Sequence, residues 1–405
     1  MPLKTITRSV SEAENERRFP AFPSLTLRVT WLSSDPLGTS RGKLVACRSD
    51  CQSFFVVSRV MQLDRLKALL DQFPRRRIAV LGDFFLDKYL EVDPALAEPS
   101  LETGRVAHQV VGIRRSPGAA GTVVNNLAAL GTGQLHAVGA IGDDGEAFDV
   151  CNGLNRLRCA TESLLRCPEL LTPTYLKPCD RDVVGLAGEH SRYDTKNRVP
   201  TPSAIVDRIA EELERILPNV DGLIVMDQVE LADCGVVTAA LRNRLADLAQ
   251  AFPQVLFWAD SRRFIRQFRN VTIKANQFEA VHRLNPAVGE EIPVEELRRV
   301  LPAIRAEIGA SVFITCAERG ILAGDADATL VSGVKVNGPI DPTGAGDSAT
   351  AGAVLALTSG ATPVEAALVA NLVASVTVQQ LGTTGTASPK QVCEAWAEWT
   401  RQQAD

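Results

Sequence analysis

The nine cysteines of this chain include no C-x-x-C pair. Cys47 and Cys51 lie close in sequence with no histidine nearby, so the spacing of a structural zinc site is absent. Scattered thiols in an α/β pattern fit a reducing compartment, and a cytoplasmic location is expected. No apolar run approaches the roughly 20 residues of a transmembrane helix. A net charge of −5 leaves no broad basic surface, so neither nucleic acid nor an anionic membrane is expected as a partner. No G-x-G-x-x-G follows the first buried strand, which excludes a Rossmann dehydrogenase. The start of the chain lacks a basic segment leading into an apolar core, the mark of a secretory signal. Glu12, Glu14 and Glu16 argue against a transit peptide.

What remains is 405 residues, 45% hydrophobic and 22% charged, a globular composition for one large or two modest domains. Residues 1–60 are rich in Arg, Ser and Pro and lack sustained periodicity. Leu25 to Val29 and Phe54 to Val60 are their only strand-like runs. They are expected to form a disordered or mis-assigned extension, with Met61 as the real start. From there MQLDRLKALLDQF places Leu63, Leu66, Leu69, Leu70 and Phe73 on one side of a helix.

The stretch from Asn337 to Leu357, NGPIDPTGAGDSATAGAVLAL, organises the rest. It reads as a strand end, a glycine-rich turn and an apolar helix. Gly344, Ala345 and Gly346 are small enough to admit a bulky anion to the backbone. They fall where a helix begins, with unpaired N–H groups and partial positive charge. Asp347 follows, and a carboxylate beside an anion hole repels phosphate. It makes sense if it takes a proton from a hydroxyl that then attacks the phosphate. The plain alternative is an ordinary helix start with Asp347 as an N-terminal charge.

The run D-P-T-G-A-G-D, Asp341 to Asp347, resembles the C-terminal motif of the ribokinase (PfkB) family of sugar kinases. The resemblance implies an α/β fold: three layers, α/β/α, around a mostly parallel central sheet, with a small β lid. It implies ATP and magnesium as cofactors, Asp347 as general base, and Thr343, Gly344, Ala345 and Gly346 as the anion hole. It also implies a monovalent cation, potassium, beside that hole near Asp341.

Upstream, Arg77 to Gly82 is a buried strand followed by Asp83 and Asp87. Carboxylates at the C-terminal end of such a strand lie where ligands bind, and a carboxylate accepts hydrogen bonds from adjacent sugar hydroxyls. Two solvated acids in a surface turn are the alternative. The segment GDFFLDKY looks like the heptose kinase version of the family's sugar-holding strand end, with Asp87 favoured over Asp83 as hydroxyl ligand. Residues 88–115, weakly alternating and broken by Pro94 and Pro99, and residues 170–190 are expected to supply the lid, which excludes water. Ser116 to Gly131 resembles the family's N-terminal motif. Gly118 matches its first glycine, Ala119 replaces the second, Thr122 stands at the usual sugar-binding Asn, and Asn126 matches a later one. Gly142 to Gly145 reads as a structural turn. Arg192, in R-Y-D, resembles a stretch of heptose kinases where a basic side chain approaches a phosphorylated substrate, and serves equally well in a structural ion pair.

Helices over Thr201–Leu217 and Ala232–Ala251 alternate with strands over Asp221–Met226, Val255–Ala259 and Val271–Ile273. That spacing argues for a mostly parallel sheet covered on both faces. Asp227 and Asp260 close two of these strands. In KANQFE, Asn276 and Glu279 share one helix face. The family's N-x-x-E positions magnesium and its waters, while the bland reading is a capping box. Thr315 and Gly320, in VFITCAERGILAG, resemble the segment that passes the nucleotide, and Asn371 lies where family members place the adenine.

The expected activity is phosphotransfer from ATP to a hydroxyl of a sugar or sugar phosphate, with a leaning toward the heptose 7-phosphate kinases. A nucleoside kinase of the same family and a catalytically silent sugar-binding sensor are the alternatives. A homodimer is a family-level expectation.

Overall fold

Successive side chains of a strand point to opposite faces, and Arg77–Gly82 (β1) buries both. Ile78 and Val80 join one apolar cluster, Ala79 and Leu81 another. From β1 the chain runs through Phe84–Pro99 (β2), Val106–Ala119 (β3), Gln134–Ile141 (β4), Cys159–Arg166 (β5), Thr174–Asp180 (β6) and Tyr193–Thr195 (β7). It continues through Gly222–Asp227 (β8), Leu256–Ser261 (β9), Thr272–Asn276 (β10), Val312–Thr315 (β11), Ile321–Ala323 (β12) and Thr329–Val331 (β13). This computed structural model describes residues 60–183, 188–283, 285–287, 289–324, 328–382 and 384–404. The expected N-terminal extension, apart from Val60, and residues 184–187 of the expected lid lie outside the described residues.

One sheet has the order β13-β12-β11-β10-β9-β8-β1-β4-β5. Its pairs from β11 through β5 are parallel, and the β11–β12 and β12–β13 pairs are antiparallel. Parallel strands need crossovers, and the crossover helices must cover both faces. Helices Ser203–Ile216, Ala239–Ala251 and Val294–Ile308 cover one face. Helices Ala120–Ala129, Gly145–Arg156, Ala345–Thr358 and Pro363–Thr377 cover the other. The expected three-layer α/β/α fold is therefore the one observed. Helix Ser203–Ile216 shows why: Ile205, Val206, Ile209, Leu213 and Ile216, at helical spacing, are its buried stripe. Helices Ala345–Thr358 and Pro363–Thr377 use small residues instead. A Cβ on Gly352 would stand 3.0 Å from Val373 Cγ2, so the two helices pack at close range.

Two expected elements differ. The helix expected over 232–251 begins at Ala239, where the Thr238 hydroxyl accepts from the Leu241 N–H. Residues before it turn through Asp233 at φ 59°. Of the two prolines expected to break residues 88–115, Pro94 is absorbed by a register shift of β2 between Asp93 and Glu98, and Pro99 ends the strand.

The second sheet has the order β3-β2-β6-β7. Only Asp83 separates β1 from β2, so this one residue joins the two sheets. β1 also lies between β4 and β8, where the strand order reverses. A crevice at the C-terminal ends of the strands opens at such a point.

At the junction of β3 and helix Ala120–Ala129, Ala119 adopts φ 52°, ψ −115°. That backbone region favours glycine. Ala119→Gly is expected to stabilise the fold by about 1 kcal/mol, the relief of strain exceeding the added chain entropy. Equilibrium denaturant unfolding of the two proteins checks this. A loss of stability would show that the Ala119 methyl contributes packing worth more than the strain.

Candidate active site

Gly344 caps helix Ala345–Thr358 in the left-handed conformation, φ 78°, ψ 4°. The preceding turn is held by Asp341. Its Oδ1 accepts from the Thr343 N–H at 3.0 Å and its Oδ2 from the Gly382 N–H at 3.1 Å. Burial alone would raise the Asp341 pKa, but these hydrogen bonds hold it below the usual range. The Ala345 N–H bonds to Pro342 O at 3.1 Å. Two of the expected anion-hole donors, Thr343 and Ala345, are therefore engaged within the loop. The N–H groups of Gly344, Gly346 and Asp347 have no hydrogen-bond partner among the described residues. The helix end directs them, with its partial positive charge, into the crevice.

Beneath this loop lies a buried cation absent from the expected site. Lys274 Nζ is 2.7 Å from Asp260 Oδ2, and both residues are nearly enclosed, at 7% and 8% exposure. The two are register partners on adjacent parallel strands, β10 and β9. A Cβ on Gly346 would stand 3.2 Å from Lys274 Nζ, so the loop backbone lies close over the ammonium and a side chain there would crowd it. Burial pulls the Lys274 pKa down, but Asp260, Glu279 and Asp347 outweigh it and hold the group charged.

Asp347 is half-buried in the first turn of its helix. Burial, and next the Asp260 carboxylate, push its pKa up to about 7, against the pull of Lys274 and Arg262. Glu279 is likewise pushed up to about 7, by burial first and Asp260 second. Asn276 and Glu279 form the capping box: Asn276 Oδ1 accepts from the Phe278 and Glu279 N–H groups, and Glu279 Oε2 accepts from the Asn276 N–H. The box leaves Asn276 Nδ2 and Glu279 Oε1 outside it. Among the described residues, no group of three His, Cys, Asp or Glu side chains could hold a metal ion alone.

Thr315, Gly320 and Asn371 line one cavity of about 540 Å³ that also reaches Ala345 and Gly346. Asn371 Nδ2 donates to Val331 O at 2.9 Å and to Ser332 O at 3.2 Å, which fixes the cavity wall. Gly320 has φ 103°, and a Cβ there would fall 2.0 Å from Val331 O. The cavity thus runs from a largely apolar recess to the start of the Ala345–Thr358 helix.

On the opposite side stand the remaining expected residues. Asp83 is buried, and main-chain donors occupy both its oxygens: Val236 N–H at 2.7 Å, Gln228 N–H at 2.9 Å and Val229 N–H at 3.2 Å. It ties the end of β1 to the 228–236 loop, and a carboxylate so occupied is a strut, not a free hydroxyl ligand. Asp87 Oδ1 is 2.9 Å from Lys177 Nζ on β6. A Cβ on Gly118 would stand 2.3 Å from Asp87 Oδ2, so Gly118 makes room for that carboxylate. Asp87 is also among the charges that raise Asp347. Thr122 is buried and packs toward Gly344: a Cβ there would stand 3.4 Å from Thr122 Cγ2. Asn126 is fully buried, its Nδ2 bonded to Thr122 O, and its Oδ1 has no hydrogen-bond partner among the described residues. Arg192 forks onto Asp194 at 2.7 and 2.9 Å and lies 4.4 Å over the Tyr175 ring, so it makes the structural ion pair foreseen as one of its two readings.

Lys274, Asp260 and Lys177 are the groups that sequence reasoning did not assign to the site. Asp260 carried a signal, as a carboxylate closing a buried strand. Lys274 stood within KANQFE, but nothing local indicates its partner.

An α/β/α fold with this loop is that of the ribokinase-like kinases. Solved structures with it include phosphofructokinase-2 from Escherichia coli in complex with potassium, with TM-score 0.60 and 16% identity over 80% of this chain and 100% of that one. Ribokinase from Arabidopsis thaliana complexed with ribose and ATP has TM-score 0.57 and 16% identity over 79% of this chain and 98% of that one. Residues 86–391 match the model of the pfkB family carbohydrate kinases, and the chain belongs to that family. It is similar to the bifunctional protein HldE of Gluconobacter oxydans, 26% identical over 78% of this chain, and to that of Hyphomonas neptunium, 29% identical over 79%. The chain spans 63% of the length of each of these relatives.

The strained ionisation of Asp347 has a stability consequence. Its pKa is about 7 in the fold against 3.8 for the free group, so the folded state binds the extra proton between these values. Stability is lost as pH rises through that window. Asp347→Asn is expected to be more stable than wild type at pH 8, on the order of 1 kcal/mol after allowing for solvent screening, and about equal at pH 4. Chemical denaturation at the two pH values reads the difference. An equal effect at both would contradict the assigned shift.

Proposed function

We propose that this carbohydrate kinase transfers the γ-phosphoryl group of ATP to a hydroxyl of a sugar or sugar phosphate, with Asp347 as general base. The observation that carries this is the position of Asp347. It follows directly on Ala345 and Gly346, which line the same cavity as Thr315, Gly320 and Asn371, and the charge of Asp87 acts on it. This supports a carboxylate between a nucleotide recess and a hydroxyl-binding group.

ATP fits this cavity: its apolar recess suits a base, and its far end reaches Gly346, which lies next to the Lys274 ammonium and whose N–H is free among the described residues. Magnesium fits as an ion held by nucleotide phosphates and water. Glu279, a carboxylate raised by burial and by Asp260, would relax toward its charged form beside a divalent cation, and Asn276 would steady a bound water. The ion supplies neutralisation of phosphate charge.

Asp87 accepts hydrogen bonds from the acceptor and orients it, while Lys177 holds Asp87 in place. Asp347 removes the proton of the reacting hydroxyl. The oxygen then forms a bond to the γ-phosphorus as the bond to the ADP oxygen breaks, and ADP departs with that electron pair. The Gly344, Gly346 and Asp347 N–H groups and Lys274 stabilise charge on the transferring group. The second sheet covers the crevice and limits water as a competing acceptor. Asp341 accepts one hydrogen bond on each oxygen and keeps lone pairs that a potassium ion beside the loop would use.

Asp347→Asn is expected to lower turnover by roughly three to five orders of magnitude while ATP binding persists. In wild type, kcat/KM should rise with pH on an acid limb near 7, since the base acts only when deprotonated. Steady-state rates across pH, with nucleotide binding measured separately, decide this. Near-normal turnover by the variant would rule out Asp347 as the base.

A further inference from the structure

We propose that Trp399 and Gln402 are positioning residues for the nucleotide, holding from behind a wall of the recess that takes its base. The proposal rests on the kinase reading above, with ATP in the cavity of about 540 Å³. Four consecutive residues, Gly333 to Val336, line that cavity. Val334 and Val336 belong to its apolar lining, while Ala345 and Gly346 line it at the start of the Ala345–Thr358 helix. Neither Trp399 nor Gln402 lines it, so both act through the main chain of this wall.

The wall is not a strand. β13 ends at Val331 on the edge of its sheet, where it pairs with β12 alone. Past that point the backbone N–H and C=O groups need other partners. Ser332 O accepts from Asn371 Nδ2 at 3.2 Å and from Trp399 Nε1 at 3.0 Å. The same indole N–H lies 3.1 Å from Ser332 Oγ. Two residues on, the Lys335 N–H donates to Gln402 Oε1 at 2.8 Å, and Lys335 O accepts from Gln402 Nε2 at 2.9 Å. Among the described residues, the main chain of 334–336 has no other hydrogen bond. A side-chain amide offers the same carbonyl and N–H as a peptide group, so Gln402 replaces the strand neighbour that the wall lacks. Glu398 Oε1, at 2.8 Å from Gln402 Nε2, fixes the orientation of that amide.

Both side chains stand on helix Pro389–Ala404, three residues apart and so on one face. Trp399 is 3% exposed and joins Val392 in the apolar cluster that also takes in helices Ala345–Thr358 and Pro363–Thr377. The helix is thereby anchored in the core, and its face gives the wall a fixed support. A base that packs on Val334 and Val336 meets a surface already in place, and affinity is not spent on ordering it. The phosphates engage the other end of the cavity, so this support bears on nucleotide affinity and leaves the chemical step alone.

Gln402→Ala in the full chain removes both bonds to Lys335. The calorimetric Kd for ATP with magnesium is expected to rise about three- to tenfold, and the KM for ATP with it. At saturating ATP, kcat and the KM of the sugar that wild type turns over fastest are expected to stay within about twofold. Trp399→Phe keeps an aromatic ring and removes the indole N–H, and the same split is expected. Lys390→Ala, on the same helix but facing Glu394, is the control and leaves every constant as in wild type. Unchanged ATP affinity in Gln402→Ala overturns the proposal and leaves the kinase reading standing. Equal losses in ATP affinity, sugar KM and kcat overturn it too, because they mark a general loosening of the fold. Should Trp399→Phe not fold, Gln402→Ala decides alone. Failure of the wild-type chain to bind ATP contradicts the kinase reading itself and the proposal with it.

Discussion

The site depends on one buried ion pair, Lys274 with Asp260, set by the register of β9 against β10. Side chains on a strand alternate faces, so a slip of one residue would turn one partner away and leave the other buried without its counter-charge. With the pair formed, an ammonium lies directly under the phosphate loop, and Gly346 permits the backbone to approach it. A buried pair of this kind adds little net stability, because desolvation offsets most of the attraction. Its effect is positional: it fixes a positive charge where the helix N-terminus already presents free N–H groups.

Around that cation the strand ends carry an excess of carboxylates. Asp347 and Glu279 are each pushed up to about 7 by burial and by Asp260, and Asp227 is raised to about 7 by burial and by Asp83. Asp227 has internal partners, the Ser261 hydroxyl at 2.8 Å and Arg242 at 3.5 Å. Asp347 has no hydrogen-bonded side-chain partner of comparable strength among the described residues, and Glu279 gives only one oxygen to its capping box. Carboxylates left so poised lower stability and are tolerated where function uses them. In the proposed reaction, a nucleotide with its divalent cation would relieve the excess on the Glu279 side, while Asp347 would keep the basicity that proton removal requires.

Much of this was legible in the chain because it is local. The D-P-T-G-A-G-D run and the helix after it are contiguous, so the glycine-rich turn at a helix start could be read directly. The regular spacing of apolar strands and amphipathic helices likewise implied a parallel sheet covered on both faces. Thr315, Gly320 and Asn371 could be named because short segments carry them, and the structure gathers all three around one cavity. What was not legible depends on partners distant in sequence. Asp83 looked like a ligand because its strand end is local, but the N–H groups that occupy it come from residues 228–236. The ion pair of Lys274 needs a strand register, and that of Asp87 with Lys177 needs the second sheet. Pro94 misled because a register shift of β2 absorbs it, whereas Pro99 does end the strand.

We propose one phosphotransfer centre, with a nucleotide in the cavity lined by Thr315, Gly320 and Asn371, a sugar beside Asp87, and Asp347 as the base. It is tested most directly by following the label of γ-labelled ATP, with magnesium, in the presence of sugars. The account predicts that label accumulates on a sugar hydroxyl in equal amount to the ADP formed. Label appearing only as inorganic phosphate, at a rate indifferent to the sugar, would contradict it.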